Sequence, residues 1–272
     1  MMIASSQPNP AMLHSELQIS ADGLLSCRGV AAHLLVALDT FFRRAALRAG
    51  AEQHWFPTLI ASDTLGRTGY FDSFPGSASQ VESTTPRRKY LLSPAVCYHC
   101  YELLSGTEID QRVVITCSGK CFRSDSSSND GCHLWEFTMR EIVFFGSPGF
   151  VRDQRESWMQ TAMRWAEGLG LGARTELAND PFFGTASRGK KLLQQVKELK
   201  YELRVPRQSG AMMAIASFNL HEQFFTRAFD IALGNGEPAC SGCVAFGLER
   251  WAMSLLARYP AGEALKRVES LQ

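Results

Sequence analysis

No run of eighteen apolar residues occurs anywhere in this chain of 272 residues, so a transmembrane helix is excluded. The longest apolar blocks, such as Leu34-Leu35-Val36-Ala37-Leu38, are far shorter. Met1 to Pro10 lacks the basic start and apolar run of a secretory signal, so a cytoplasmic location and no membrane partner are expected. Neither sign of charge is in excess. The 28 basic and 27 acidic residues give a net charge of +1, which argues against a dedicated polyanion-binding domain and leaves room only for a local basic patch. No internal repeat and no linker are visible, so 1–272 is read as one domain, with 1–20 as a loose arm. Hydrophobic residues at 45% and charged residues at 20% are the balance of a globular chain, which excludes disorder for its bulk.

What is present reads as a helix, then strands with long insertions, then hairpins, then a last helix. Leu34, Leu38, Phe41, Phe42 and Ala45 recur at three- and four-residue spacings, which predicts a helix over 30–47 that stops at Gly50. Gln53 to Ile60 is an extended apolar run whose Pro57 suits a sheet edge. Residues 64–90 are rich in Gly, Ser and Thr and read as loops. Arg112 to Cys117 is a β-branched strand. The polar turn Ser124–Gly131 separates it from a second strand, Leu134 to Phe145, making a long hairpin. Ser147-Pro148 opens a helix that Gly168 and Gly170 end. A strand at 175–178, a lysine-rich helix over 188–200 and strands near 201–205, 212–218 and 227–233 follow. The final helix is placed at 248–258. This order predicts an α+β fold on a mostly antiparallel sheet flanked by helices.

Eight cysteines are present. In a cytoplasmic chain they are more often free, metal-bound or catalytic than paired. Cys97-Tyr98-His99-Cys100 and Cys240-Ser241-Gly242-Cys243 are both C-x-x-C. Spacing alone leaves three readings open. The four can form a closed structural zinc site, one from each pair can join a carboxylate in an open catalytic site, or they can be small buried hydrophobes.

The hairpin carries a less ordinary pattern. Cys121-Phe122-Arg123-Ser124-Asp125 ends its first strand, and His133-Leu134-Trp135-Glu136-Phe137-Thr138-Met139-Arg140-Glu141 begins its second. Alternation places His133, Trp135, Phe137, Met139 and Glu141 on one face. Ala245-Phe246-Gly247-Leu248-Glu249-Arg250 leads into the last helix. The first of these patterns resembles motif 2 of the class II aminoacyl-tRNA synthetases, and Gly247-Leu248-Glu249-Arg250 resembles their motif 3. Gly50 to Ile60 is similar to the looser motif 1. The three stand in the right order. Leu92–Cys97, Met139–Glu141, Asn179–Gly184, Ser217–His221 and Cys243–Arg250 resemble the zinc-dependent branch. That branch contains the atypical seryl-tRNA synthetases of methanogens and their truncated homologues, the amino acid:[carrier protein] ligases. The motif 1 helix starts near residue 30, which leaves no expected room for a tRNA-binding domain and points to the ligases.

The resemblance implies roles residue by residue. Cys97, Glu141 and Cys243 would hold Zn²⁺, with an open position for the α-amino group of the substrate. Cys100 and Cys240 are then packing residues. Arg123 would grip the α-phosphate of ATP and the amino acid carboxylate, a task suited to a planar, always-charged fork. Arg250 would hold the γ-phosphate, His133 the outer phosphates, and Phe137 would stack on adenine. Asp125, where the family usually carries glutamate, would contact adenine. Glu222, Asp230 and Glu237 are candidates for binding Mg²⁺, while Arg140 and Glu249 could equally form structural ion pairs. The implied reaction activates a small amino acid, glycine first and alanine second, and transfers it to the phosphopantetheine thiol of a carrier protein. Lys190 and Lys191 are candidates for docking that acidic partner, and motif 1 implies a homodimer. tRNA aminoacylation of the seryl type, or a catalytically dead regulatory paralogue, are the competing readings.

Overall fold

The computed structural model describes residues 16–82, 88–124, 133–178 and 198–271. Its centre is a seven-stranded sheet. We number these strands β1 (Glu52–Gln53), β2 (Arg112–Phe122), β3 (Glu136–Gly146), β4 (Arg174–Leu177), β5 (Lys200–Pro206), β6 (Met212–Glu222) and β7 (Cys240–Gly247). Their spatial order is β4-β5-β6-β7-β3-β2-β1. All neighbours are antiparallel except β1 with β2. Four helices of eight residues or more accompany it among the described residues: α1 (Gly29–Arg48), α2 (Pro148–Gly168), α3 (Leu248–Leu256) and α4 (Ala261–Ser270). The expected antiparallel sheet flanked by helices is therefore present.

Period-two alternation gives the sheet two different faces. Ile142 and Phe144 of β3, with Val244 and Phe246 of β7, join the core built with α1, α2 and α3. Phe42 of α1 stacks on Phe246, with ring centroids 4.3 Å apart, and meets Trp251 edge-on. Val143 and Phe145 of β3 and Cys243 of β7 point the other way. They pack against Cys97, Cys100, Tyr101, Phe225 and Phe229, which lie in or beside two short helices, Tyr98–Leu103 and Phe224–Ala228. The site lies on this second face.

Local chemistry sets the boundaries. Gly50 ends α1 with φ of 86°, while Gly50 and Ala51 donate backbone hydrogen bonds to Leu47 and Ala46. That left-handed stop is open to glycine without a Cβ penalty. Ser147 caps α2 by accepting from the Phe150 N–H, and Pro148 occupies the first turn, as the sequence predicts. The hairpin of β2 and β3 also stands where expected.

Several expectations need correction. Residues 16–19 do not belong to a loose arm: Leu17–Ile19 pairs with Leu25–Cys27, and Leu17 is buried. Within 64–90 the chain forms the short helices Ser62–Arg67 and Tyr70–Ser73 and a small sheet. The strand expected at 227–233 is the end of the helix Phe224–Ala228 followed by Ala232–Leu233, which pairs in parallel with Glu108–Ile109 away from the main sheet. Phe225 and Phe229 are both buried four residues apart, a helical spacing, and Asp230 then turns left-handed at φ of 53°. A further helix, α4, follows the one taken as final. The predicted helix over 188–200 lies largely outside the described residues, and Lys200 opens β5. No helix among the described residues is long and apolar enough to cross a membrane.

Candidate active site

Strand register assembles the core of the site. Glu141 on β3 lies opposite Cys117 on β2 and Ala245 on β7, and Cys243 lies opposite Val143 and, on its other side, Asn219 of β6. Glu141 and Cys243 are thus diagonal neighbours on one face. The turn before the helix Tyr98–Leu103 brings Cys97 over them. The ligand atoms of Cys97, Glu141 and Cys243 all lie within 4.8 Å of one another, and all three residues are buried. Among the described residues no other group of three such side chains forms.

The chemistry of this trio fits a divalent cation. Glu141 Oε1 accepts from the backbone N–H of Val96 at 2.9 Å and of Cys97 at 3.2 Å, which leaves Oε2 without a backbone partner. Burial pushes the Glu141 carboxyl up, against these hydrogen bonds and the pull of Arg123. The Cys97 thiol is pushed well up by its hydrogen bond with Cys243, by burial and by the Glu141 charge. Three buried acidic groups packed together are costly to ionise, and a metal ion between them removes that cost. Two soft sulfurs and one oxygen make a zinc-compatible set of three, one short of the four ligands of a tetrahedral ion.

The four-cysteine alternative fails on geometry. Cys240 packs in the helix-side core, on the opposite face from Cys243. Residues three apart on a strand point to opposite faces, so this C-x-x-C cannot chelate as a pair. Cys100 is fully buried, and its thiol is pushed well up by burial and by its bond with Cys117. These two cysteines are packing residues.

The two motif arginines emerge at the same end of the sheet. Arg123 follows β2 just past the Phe122–Glu136 pair, and α3, which carries Arg250, follows the Gly247–Met139 pair. Arg123 is exposed. Its Nε donates to the Pro94 carbonyl at 3.2 Å, and its guanidinium sits 5.2 Å from the Phe137 ring centre. That contact presents a cation and an aromatic face together. Arg250 is half-buried and donates through Nη1 to the Ala214 carbonyl at 3.0 Å. His133 is exposed and next to buried Leu134.

Glu249 and Arg140 are both bonded to neighbouring side chains. Glu249 is buried and accepts from both the backbone N–H and the hydroxyl of Thr138, each at 2.7 Å, with Lys120 3.7 Å away. It thereby clamps the start of α3 to β3 and sets where Arg250 begins. Arg140 forms a two-pronged ion pair with Asp39 of α1, at 2.9 and 2.8 Å. Asp125, Lys190 and Lys191 lie outside the described residues. Glu222, Asp230 and Glu237 are exposed and do not gather into a group of three.

Sequence reasoning gave no task to His221, Tyr101 or Asn219, which surround Cys243. Tyr101 hydroxyl lies 2.6 Å from His221 Nδ1, and His221 Nε2 lies 3.7 Å from Cys243 Sγ. Burial holds the His221 ring down to about 3. Only the Ser217–His221 run hinted at this cluster.

No protein-family model matches the chain. It is 34% identical over 247 residues to amino acid–[acyl-carrier-protein] ligase 1 of Bradyrhizobium diazoefficiens, an alignment covering 81% of this chain and 74% of that protein. It is 26% identical over 274 residues to the type-2 serine–tRNA ligase of Methanopyrus kandleri, covering 85% of this chain and 52% of that one. Among solved structures, the M. kandleri SerRS in complex with A. aeolicus tRNASec superposes with a TM-score of 0.79 at 21% identity, over 96% of this chain and 59% of that one. The fold is that of the class II aminoacyl-tRNA synthetases, and the chain belongs to the family of amino acid–[acyl-carrier-protein] ligases.

Proposed function

We propose that this protein joins a small amino acid, glycine first and alanine second, to ATP as an aminoacyl-adenylate and passes it to the phosphopantetheine thiol of a carrier protein. The observation that carries this reading is the buried trio of Cys97, Glu141 and Cys243, which offers three ligands, one fewer than a tetrahedral ion takes. Zn²⁺ held there would supply a Lewis-acid site for the neutral α-amino group. Compounds without a free amine are then rejected, and side-chain size is left to the pocket walls.

In the first step a carboxylate oxygen of the amino acid attacks the α-phosphorus of ATP. The bond from that phosphorus to the bridging oxygen breaks, and pyrophosphate leaves. Arg123 holds the α-phosphate and the carboxylate, Phe137 stacks on adenine, and His133 and Arg250 hold the outer phosphates. Asp125 takes part in the adenine contact, and Mg²⁺ accompanies the phosphates. Most of the acceleration then comes from orientation and charge stabilisation. In the second step the carrier thiolate attacks the acyl carbon and AMP leaves. A thiolate is a strong nucleophile, so no protein nucleophile is required.

A carrier protein is typically acidic, and Lys190 and Lys191 are our choice for its docking site. Reversing both to glutamate is expected to weaken transfer and spare adenylate formation. We also propose a homodimer through the segment around β1. Trp55 is 89% exposed there, and Leu59, four residues on, is 39% exposed. Large apolar side chains this exposed suit an interface.

The test is amino-acid-dependent ATP–pyrophosphate exchange across all twenty amino acids, with metal-loaded, chelator-stripped and zinc-reconstituted protein. The reading expects exchange with glycine or alanine that is lost on stripping and returns with zinc. Exchange confined to serine favours the tRNA-type relative, and no exchange by folded, zinc-loaded protein refutes the enzyme.

A further inference from the structure

The proposed chemistry leaves His221 without a task, yet the fold invests in its placement. Its side chain is 1% exposed. It sits at a β-bulge: Leu220 lies opposite Gly242 while Glu222 lies opposite Ser241, so His221 is the extra residue. Glu222, the next residue, has a φ of 50°. A bulge bends its strand and re-aims side chains. Here both ring nitrogens find neighbours. Nδ1 lies 2.6 Å from the Tyr101 hydroxyl and 3.5 Å from Ser241 Oγ, and Nε2 lies 3.7 Å from Cys243 Sγ. Asn219, opposite Cys243 in the register, places Nδ2 3.4 Å from the same sulfur. Two nitrogens therefore converge on one cysteine.

A sulfur bound to a metal is a thiolate and can only accept hydrogen bonds. Nε2 must then carry the proton, and Nδ1 must accept one from the Tyr101 hydroxyl, whose single proton turns to the ring from Ser241 Oγ, 3.0 Å away, while Ser241 donates in return. A neutral imidazole offers one donor and one acceptor nitrogen, so this arrangement uses both. We propose that His221 is a positioning residue of the metal site, its Nε2–H holding Cys243 as a hydrogen-bonded thiolate while Tyr101 fixes the ring's tautomer. This rests on the reading of Cys97, Glu141 and Cys243 as metal ligands. Partners behind a ligand orient it and tune its donation to the metal. In the commoner arrangement a histidine is the ligand and an oxygen stands behind it. Here a thiolate is the ligand and the histidine stands behind.

The test uses the full chain with Zn²⁺ or Co²⁺ as the probe. Zinc affinity is measured by competition with a chromophoric chelator for wild type, H221F, H221Q and Y101F, after thermal unfolding has verified that each is folded. Loss of the donor in H221F is expected to weaken zinc binding by roughly 10–100-fold. It should also move the sulfur-to-Co²⁺ charge-transfer band to lower energy, because an unbonded thiolate gives up charge more readily. H221Q keeps an N–H donor and should recover part of both effects, and Y101F should show a smaller change of the same sign. If H221F does not fold, H221Q and Y101F carry the comparison. Wild-type affinity together with an unmoved band in the folded variants overturns the proposal. A C243S control separates the two readings. If wild type binds no zinc, the metal site itself is refuted and this inference with it. If wild type binds zinc that C243S loses, while the His221 and Tyr101 variants behave as wild type, only the inference fails.

Discussion

Asp39→Asn should destabilise the folded protein by about 3 kcal/mol, and restoring an apolar pair should recover most of it. The Arg140 side chain is 3% exposed and Asp39 is 30% exposed, so the pair is largely shielded from water. Asp39 accepts both prongs of the guanidinium, and Gln53 Oε1 takes a further bond at 3.2 Å. In D39N a buried cation loses the carboxylate that bonds it, the only one among the described residues, which is the costly half-pair case. Replacing both partners, as D39L/R140M, removes the uncompensated charge and should bring stability back to within about 1 kcal/mol of wild type. Urea unfolding of wild type, D39L, R140M and D39L/R140M, followed by far-ultraviolet circular dichroism, gives the four free energies of the cycle, with D39N measured beside them, provided the slope m stays constant. Two results would refute the reasoning: a D39N cost below about 1 kcal/mol, typical of an exposed pair, or a double variant whose losses simply add.

Other outcomes follow from the same structure. F42A removes the ring stacked on Phe246 and should cost about 3–5 kcal/mol in thermal or urea unfolding. G242A places a Cβ 2.5 Å from a Phe144 ring carbon and 2.6 Å from the Asn219 carbonyl oxygen. It should cost about 1–3 kcal/mol and, by disturbing the neighbouring Cys243, lower the zinc content measured by atomic absorption. E249A releases the two 2.7 Å bonds that seat α3 on Thr138. Bonds to a charged group contribute about 1.5–3 kcal/mol, so the KM for ATP in pyrophosphate exchange should rise by roughly tenfold or more, with zinc content unchanged.

Local patterns made much of this molecule legible from its residues. The helical spacing of Leu34, Leu38 and Phe42 and the Ser147-Pro148 cap are signals read within a few positions, and each stands in the fold. The motif residues Cys97, Glu141 and Cys243 were legible through resemblance, and the sheet register explains how they meet. What sequence could not decide depended on which way a strand faced. The two cysteines of Cys240-Ser241-Gly242-Cys243 look equivalent in one dimension and point to opposite cores in three. The helix α4 buries only Ala261, Ala264 and Val268, too little apolar weight to register as a periodic stripe. The strand expected at 227–233 was misread because Phe225, in a short helix, and Phe229, just past its end, are buried against Tyr101, on a face the linear pattern does not reveal. His221 was visible as part of a motif, but its hydroxyl partner Tyr101 lies 120 positions away.

The central claim is aminoacyl transfer to a carrier protein, and intact-mass analysis of the acceptor tests it most directly. The zinc-loaded protein is incubated with ATP, Mg²⁺ and glycine, together with a carrier protein bearing phosphopantetheine, the same carrier without it, or bulk tRNA. The account predicts that the phosphopantetheine-bearing carrier gains one glycyl group, labile to hydroxylamine, and that the other two acceptors gain none. R123A should abolish the gain. A charged tRNA with an unmodified carrier, or no charged acceptor despite adenylate formation, would contradict it.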